Sequence, residues 1–187
     1  MVLENTLRFL AEHRVNLPGQ RFAINLGPST VCRAQFPAEV SRLLAKYAVE
    51  PWQLIFEVTE CSTFGSGEQA LHTLRKLQKM GVRIAIDDFG TGYASYARLK
   101  SVDADILKID GSFIRNIVNN SLDYQIVASI CHLARMKKML VVAEYVETEE
   151  IRSAVHALGI DYVQGYLIGR PVALESLLEA EASPVET

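Results

Sequence analysis

Long hydrophobic runs are absent from this sequence. The longest apolar stretches, such as residues 139–143, are of strand length, whereas a membrane-spanning helix needs about 20 apolar residues. Segment 1–15 is predicted to be an amphipathic helix that contains acidic residues and no small-residue cleavage site, so it does not read as a signal peptide. We therefore expect no membrane contact within the chain and a cytoplasmic location. A parent protein would still be free to reach a membrane through other domains.

Paired cysteines and an excess of basic residues are also missing. Cys32, Cys61 and Cys131 form neither a CxxC pair nor an even set, which is typical of reduced thiols in an intracellular protein. The net charge is −3 and the isoelectric point is near 5.8, without the basic surface that binding to polymeric nucleic acid requires. We therefore expect no disulfide framework and no DNA or RNA partner.

Linkers and low-complexity segments do not interrupt the chain, so its 187 residues predict one domain. Short β-rich runs alternate with longer stretches whose apolar residues recur at three and four positions. Repeated strand–helix units imply parallel strands with crossover helices. The predicted strands are 21–26, 53–58, 83–87, 105–109, 140–144 and 162–165, and the predicted helices include 36–48, 67–81 and 121–138. After Pro171 we expect a last helix that grades into a frayed tail.

Polar side chains able to bind a metal or handle a proton lie where the predicted strands end. They are Asn25, Glu57, Asp87, Asp88, Lys108, Glu144 and Gln164. Because the carboxyl ends of parallel strands meet at one mouth, these groups are predicted to form one site. For any single acid a helix N-cap or a turn is the simpler explanation, but the repetition over six strands favours a functional site.

Asp87 and Asp88 are adjacent carboxylates, which repel each other unless a cation lies between them. With a glutamate and an asparagine oxygen nearby they form a hard oxygen donor set that suits Mg²⁺ or Mn²⁺, and no thiolate or imidazole cluster indicates zinc. The alternative is that Asp88 caps the following turn.

The next residues form a glycine-rich loop without the spacing of a Walker or dinucleotide motif: Phe89, Gly90, Thr91, Gly92 and Tyr93. Its glycines would permit close backbone approach and rearrangement on ligand binding, although a plain tight turn is also consistent with the pattern.

Lys108 lies in an apolar strand, where an unpaired ammonium is costly, so it is expected to have acidic neighbours. It would stabilise a phosphate oxygen or a nucleophilic water, or would serve a purely structural ion pair.

Five segments in chain order resemble the signature blocks of the EAL phosphodiesterase domain family: FEVTE, IAIDDFGTGYASYARL, ILKIDGSF, VVAEYVE and VQGYLIGRP. The match runs from about residue 20 to 171, and the chain 1–187 is interpreted as a single EAL domain with 172–187 as terminal helix and tail. The resemblance implies a modified (β/α)8 barrel, here incomplete with about six parallel strands. It also implies hydrolysis of the bacterial second messenger cyclic di-GMP to linear pGpG with Mg²⁺ or Mn²⁺.

By position in these motifs, Asn25, Glu57 and Asp87 resemble ligands of a first metal ion. Asp87 would bridge to a second ion that Asp88 also binds.

Lys108, Glu144 and Gln164 resemble the groups that orient the water and line the catalytic centre. Glu60 resembles a glutamate that anchors the glycine-rich loop, and Glu147 matches a second acid with a supporting role.

Two departures from the family pattern stand out. The Glu-Ala-Leu motif, whose glutamate normally binds the first metal, does not occur in this sequence, and Tyr145 stands where the family usually has glycine. From the missing motif we expect about two of the eight strands to be absent and the chain alone to be weakly active or inactive, whereas Tyr145 is a mild departure that is compatible with a catalytically competent parent protein. A non-catalytic cyclic di-GMP-binding module is the main alternative, and a metal hydrolase with another substrate is a third.

The missing strands would leave two sheet edges unpaired, at the strands of Asn25 and Gln164. Such edges favour association, so the expected assembly is a homodimer or a domain-swapped oligomer.

Overall fold

Six parallel strands form one sheet in which each strand lies next to its neighbour in the chain. The computed structural model describes residues 2–17, 19–59, 67–90, 103–176 and 178. The strands are β1 (Phe22–Asn25), β2 (Leu54–Thr59), β3 (Arg83–Phe89), β4 (Ile106–Ile109), β5 (Leu140–Ala143) and β6 (Tyr162–Val163). All six strands that the sequence pattern predicts are confirmed. In the described part of the chain β1 and β6 are the outer strands, so the sheet is an open portion of a barrel.

Helices connect these strands, as the alternating pattern predicts. They are α1 (Val2–Glu12), α2 (Pro28–Val31), α3 (Phe36–Tyr47), α4 (Gly67–Lys79), α5 (Gly111–Ile114), α6 (Ser121–Met136) and α7 (Glu149–Ala157), with short 3-10 turns at Pro51–Gln53 and Leu174–Ser176. The predicted helices at 36–48, 67–81 and 121–138 are confirmed within two residues at each end. Helices α2, α5 and α7 were not among the patterns singled out, and two of them have only four residues.

Local capping explains where the later helices begin. The Asn120 side chain accepts hydrogen bonds from the backbone N–H groups of Leu122 and Asp123 at the start of α6. The Thr148 hydroxyl accepts one from the Ile151 N–H at the start of α7. Each cap satisfies N–H groups that have no partner within the helix.

The hydrophobic core lies between the sheet and the helices in two clusters. One packs α1, α3 and α4 on β1 to β3 and includes Leu7, Val40 and Phe56. The other packs α6 and α7 on β3 to β5 and includes Leu107 and Ile130. Strand β4 is buried along its whole length. Lys108, the charged residue of this strand, therefore lies in an apolar environment.

Two aspartates fasten the amino ends of the strands. Asp105 Oδ2 accepts a hydrogen bond of 2.8 Å from the Ile84 N–H, and Asp161 Oδ2 accepts one of 2.8 Å from the Val141 N–H. In each case the aspartate directly precedes one strand, and its carboxylate accepts a hydrogen bond from a backbone N–H near the start of the neighbouring strand. The repeated arrangement holds the register of the sheet at the end opposite to the polar site.

No helix in the described portion has both the length and the apolar character that crossing a membrane requires. Residues 179–187 of the expected tail lie outside the described residues.

Candidate metal centre

Strand register explains why the predicted polar residues share one face of the sheet. Asn25 of β1 pairs with Glu57 of β2, and Glu57 pairs with Ala85 of β3. Side chains two residues apart on a strand lie on the same face, so Asp87 lies on the face of Ala85. Lys108 of β4 follows in the next strand.

Lys108 lies at the centre of this polar face. It is 5% exposed, and its Nζ lies 2.8 Å from Asp87 Oδ1, 2.9 Å from Glu144 Oε1 and 3.2 Å from Glu57 Oε1. The acidic neighbours expected from the sequence are therefore confirmed. Carboxylates from β2, from β3 and from the residue after β5 thus contact the ammonium group that β4 supplies.

A β-bulge places Asp88 beside Asp87. Adjacent residues of a regular strand point to opposite faces, but the pairing of β3 with β4 shifts between Ile86 and Phe89, and Asp88 has a positive φ of 54°. Bulges of this kind re-aim side chains near functional sites. As a result, one carboxylate oxygen from each of Asp87, Asp88 and Glu144 can be chosen so that all three lie within 4.8 Å of one another.

The segments after β5 and β6 complete the rim of the site. Glu144 directly follows β5, where its N–H donates to Ile109 O at 3.3 Å, and Gln164 follows β6, where its N–H donates to Ala143 O at 2.8 Å. A Cβ atom at Gly165 would overlap the backbone of Val146, so glycine allows the two segments to touch.

A cavity of about 230 Å³ opens at this rim. It is lined by Glu144, Tyr145, Glu147, Gln164, Gly165 and Tyr166. Of the three predicted residues among them, Glu144 is buried, while Glu147 and Gln164 are exposed. The carboxylate cluster is thus continuous with a space that a ligand can enter.

The site stabilises a charged lysine and destabilises charged carboxylates. Burial disfavours the Lys108 ammonium, but Asp87 and Glu144 outweigh that effect and raise its pKa above the ordinary value. Burial raises the pKa of Glu57 and of Glu144 despite the opposing charge of Lys108. Burial also raises the pKa of Asp88, with further contributions from Asp87 and Asp110. One ammonium therefore does not balance this group of acids.

The donor set fits a divalent cation. The buried Asp87 Oδ1 is paired with the Lys108 ammonium at 2.8 Å, and a carboxylate oxygen has a further lone pair that can bind a cation. Carboxylate oxygens from Asp87, Asp88 and Glu144 surround one space, and such oxygens are the ligands that Mg²⁺ and Mn²⁺ prefer. The members of this group among the described residues are all carboxylates.

Comparison with known proteins then decides the family. The sequence model described as the EAL domain matches residues 1–171. The chain belongs to the EAL domain family. The match reaches further toward the N-terminus than the segment from about residue 20 that the motif blocks indicate.

Curated relatives of this EAL domain are much longer proteins. The chain is 70% identical over 184 residues to the cyclic di-GMP phosphodiesterase PdeF of Escherichia coli K12, covering 98% of this chain and 24% of PdeF. It is 48% identical over 173 residues to the probable cyclic di-GMP phosphodiesterase PdeA of the same strain, covering 92% of this chain and 24% of that protein. The chain thus spans about a quarter of the length of these relatives.

Solved EAL structures share the fold. The PaMucR phosphodiesterase in complex with c-di-GMP superposes with a TM-score of 0.86 at 37% identity, covering 94% of this chain and 72% of that one. The EAL domain of Mycobacterium smegmatis DcpA gives a TM-score of 0.90 at 31% identity, covering 97% and 82%. These matches confirm the expected barrel class, of which the described part of this chain forms six parallel strands.

The glycine-rich loop of this EAL domain begins one residue later than the sequence predicts. Phe89 was expected in a flexible loop, but it ends β3, pairs with Ile109 and is 4% exposed. Its apolar ring is packed in the core, so the strand extends two residues beyond its predicted end. Gly90 follows with φ 107°, as a glycine permits.

Other predicted loop residues lie outside the described part of the chain. They are Glu60, Thr91, Gly92 and Tyr93. Conversely, the sequence reasoning did not single out Asp110, which accepts a hydrogen bond from the Ser112 N–H as the cap of α5 and whose charge acts on Asp88. Its position directly after β4, two residues from Lys108, was the available signal.

Proposed function

We propose that this chain supplies most of the catalytic site of a cyclic di-GMP phosphodiesterase that hydrolyses its substrate to linear pGpG with two divalent cations. The observation that carries the proposal is the convergence of Asp87, Asp88 and Glu144 around one space, with Lys108 in contact with two of them. The names of PdeF and PdeA support the substrate.

Charge explains why cations are part of the proposal. Four acidic side chains share this site with one ammonium group, which contacts three of them, and a cyclic dinucleotide carries two phosphodiester anions. Without added positive charge the substrate would be repelled from the carboxylates. Bound Mg²⁺ or Mn²⁺ would neutralise phosphate charge and supply a nucleophilic water at neutral pH.

The metal ligands of the proposal come from three neighbouring strands. Asn25 and Glu57, which are paired in register, would bind one ion together with Asp87. Asp87 would also contribute to a second position with Asp88, which the bulge in β3 brings to the same side. The hard oxygen donors of these four side chains suit this task.

Lys108, Glu144 and Gln164 would act on the reacting groups. Lys108 remains charged, because its pKa is raised, and it would donate hydrogen bonds to a water or a phosphate oxygen. Glu144 has a raised pKa because of its burial, which suits a group that accepts and releases a proton. Gln164 on the rim would orient the water, and the exposed Glu147 would support the segment.

The chain by itself is proposed to be a weak catalyst. The Glu-Ala-Leu motif does not occur in the sequence, so one anionic ligand of the first metal would have to come from elsewhere. Loss even of a supporting partner commonly costs 10–100-fold in metal affinity or activity. A version extended upstream through a Glu-Ala-Leu segment is therefore expected to be more active.

Turnover tests this proposal. Both versions are incubated with cyclic di-GMP and Mg²⁺ or Mn²⁺, and the products are separated by chromatography. Glu144→Gln is expected to abolish pGpG formation. Glu149→Gln is the matched control, because Glu149 is exposed and pairs with Arg152 outside the site. Absence of turnover in both versions would refute the catalytic proposal.

A non-catalytic cyclic di-GMP-binding module is the second candidate. The observation in its favour is the absence of Glu-Ala-Leu from the sequence. It predicts binding of the dinucleotide by equilibrium dialysis in both versions and no pGpG formation in either.

Self-association is proposed through the outer strands. β1 and β6 each have one unpaired edge within the described residues, and such edges pair readily with another chain. Sedimentation of this chain is expected to show a dimer or larger swapped species, and the upstream extension is expected to reduce it. A monomer at all concentrations would contradict this.

A further inference from the structure

Tyr145 occupies a backbone position that disfavours tyrosine. It directly follows Glu144 and has a φ of 55°, in the left-handed region where side chains with a Cβ atom are strained. Glycine would adopt this conformation freely. The side chain is nevertheless 45% exposed, so burial of the whole ring does not explain its presence.

The tyrosine ring is held in place by two contacts. A Cβ atom at Gly111 would overlap the Tyr145 ring, so the ring lies directly on the backbone at the start of α5. The Arg115 guanidinium carbon lies 4.0 Å from the ring centroid, which is within the range of a cation–π contact. The ring and the guanidinium are therefore in cation–π contact, and the pair is here called the Tyr145–Arg115 layer.

This layer borders the cavity of the candidate metal centre. Tyr145 lines the cavity together with Glu144 and Gln164, two residues assigned to the reaction. Arg115 is exposed beside it and adds positive charge at the edge of an acidic site. Planar aromatic and guanidinium groups are the surfaces on which proteins stack nucleic acid bases.

We propose that the Tyr145–Arg115 layer is a stacking platform for one guanine base of the dinucleotide. The inference rests on the proposed function, because it assumes that the phosphodiester lies among the carboxylates. A base attached to that phosphodiester reaches outward along the cavity rim, where the layer lies. The position thus contributes substrate affinity and leaves the chemical step to other residues.

The first test measures cyclic di-GMP binding by equilibrium dialysis in a Glu144→Gln background, so that turnover does not consume the ligand. Tyr145→Gly removes the ring and is compatible with the backbone conformation. It is expected to weaken binding about 5- to 100-fold, the usual effect of losing one base–aromatic stack. Tyr145→Phe retains the ring, and its Kd is expected to lie within about twofold of that of the Glu144→Gln protein. Arg115→Ala is expected to weaken binding as well.

Two matched controls separate this effect from changes in backbone or surface. Lys138→Gly replaces another non-glycine residue with positive φ, 59°, at the opposite end of β5. Tyr162→Ala removes an exposed tyrosine, 52% accessible, that lines a different cavity. Both are expected to leave binding unchanged, and thermal unfolding checks that every variant is folded.

Kinetics supply a second readout in the version extended through Glu-Ala-Leu. Tyr145→Gly is expected to raise KM with little change in kcat, because stacking is made equally in the bound substrate and the transition state. A fall in kcat with unchanged KM would overturn the assignment.

The outcomes distinguish this inference from the proposed function. If the Glu144→Gln protein with Tyr145 intact does not bind cyclic di-GMP at all, the proposed function fails and the stacking platform fails with it. If the Glu144→Gln protein binds cyclic di-GMP and the added Tyr145→Gly substitution leaves binding equally strong, the stacking platform alone is refuted. If Tyr145→Gly changes the oligomeric state but not the binding, the layer is a contact between protein chains, and the inference is equally wrong.

Discussion

Replacing Lys108 with methionine would remove the one ammonium that contacts three carboxylates. Methionine preserves most of the volume but none of the charge. Lys108, Glu57, Asp87 and Glu144 all have side chains that are 14% exposed or less, so solvent screens their interactions weakly. Removal of one partner from a buried ion pair typically costs about 3–5 kcal/mol.

Thermal unfolding of the metal-free protein at pH 7 measures the effect. For a chain of this length, a loss of about 3–5 kcal/mol lowers Tm by roughly 6–20 °C. Burial already raises the pKa values of Glu57 and Glu144 in the folded protein, and loss of the lysine raises them further, because its charge opposes that shift. The variant is therefore relatively more stable below the unfolded pKa and loses stability as pH rises through the folded pKa. We expect the Tm deficit to shrink near pH 5, and added Mn²⁺ to restore part of it at pH 7.

Lys46→Met is the matched control, because Lys46 also contacts a carboxylate, Glu4, at 2.8 Å but both side chains are about half exposed. No measurable change is expected there. If Lys108→Met has the Tm of the wild type at pH 7, with no dependence on pH or Mn²⁺, the ammonium does not stabilise the acidic cluster and this reasoning is refuted.

Three further predictions concern the surrounding framework. Gly165→Ala would force a Cβ atom against the Val146 backbone and is expected to cost about 1–3 kcal/mol in denaturant unfolding; an unchanged midpoint would contradict the close approach. Asp105→Ala would leave the Ile84 N–H without its 2.8 Å acceptor and is expected to cost about 1–3 kcal/mol, with Asp105→Asn closer to wild type. Burial raises the pKa of the Cys131 thiol, so mass spectrometry is expected to show its alkylation at pH 8 only under unfolding conditions; rapid labelling of the native protein would argue against its burial.

The strands could be predicted because their residues are locally distinctive. Short β-rich runs of four to six residues separated by helical periodicity are sufficient to indicate parallel strands. Parallel register then brings their carboxyl ends together, so the sequence also indicated that Glu57, Asp87, Lys108 and Glu144 belong to one site. Their contacts follow from that topology, and Lys108 has the acidic neighbours expected of a charge in an apolar strand.

The local backbone at the site could not be predicted in the same way. Strand alternation alone would direct Asp87 and Asp88 to opposite faces, and only the bulge in β3 reunites them. The extension of β3 through Phe89 was also missed, because a following glycine suggested an earlier loop. Such features depend on how β3 and β4 pair, which no short segment of sequence specifies.

The two strained residues at the site illustrate different relations between backbone and side chain. Asp88 and Tyr145 each follow a site carboxylate and have nearly equal φ values of 54° and 55°. Aspartate tolerates the left-handed region because its short side chain bonds locally, whereas a bulky residue is strained there by roughly 1–2 kcal/mol. At Asp88 the conformation itself places the carboxylate near those of Asp87 and Glu144. At Tyr145 the same conformation would be served better by glycine, so contacts of the ring must offset the strain. Gly111 and Arg115 provide such contacts before any ligand binds, which means that the ring is already ordered and that a base stacking on it would lose little side-chain entropy.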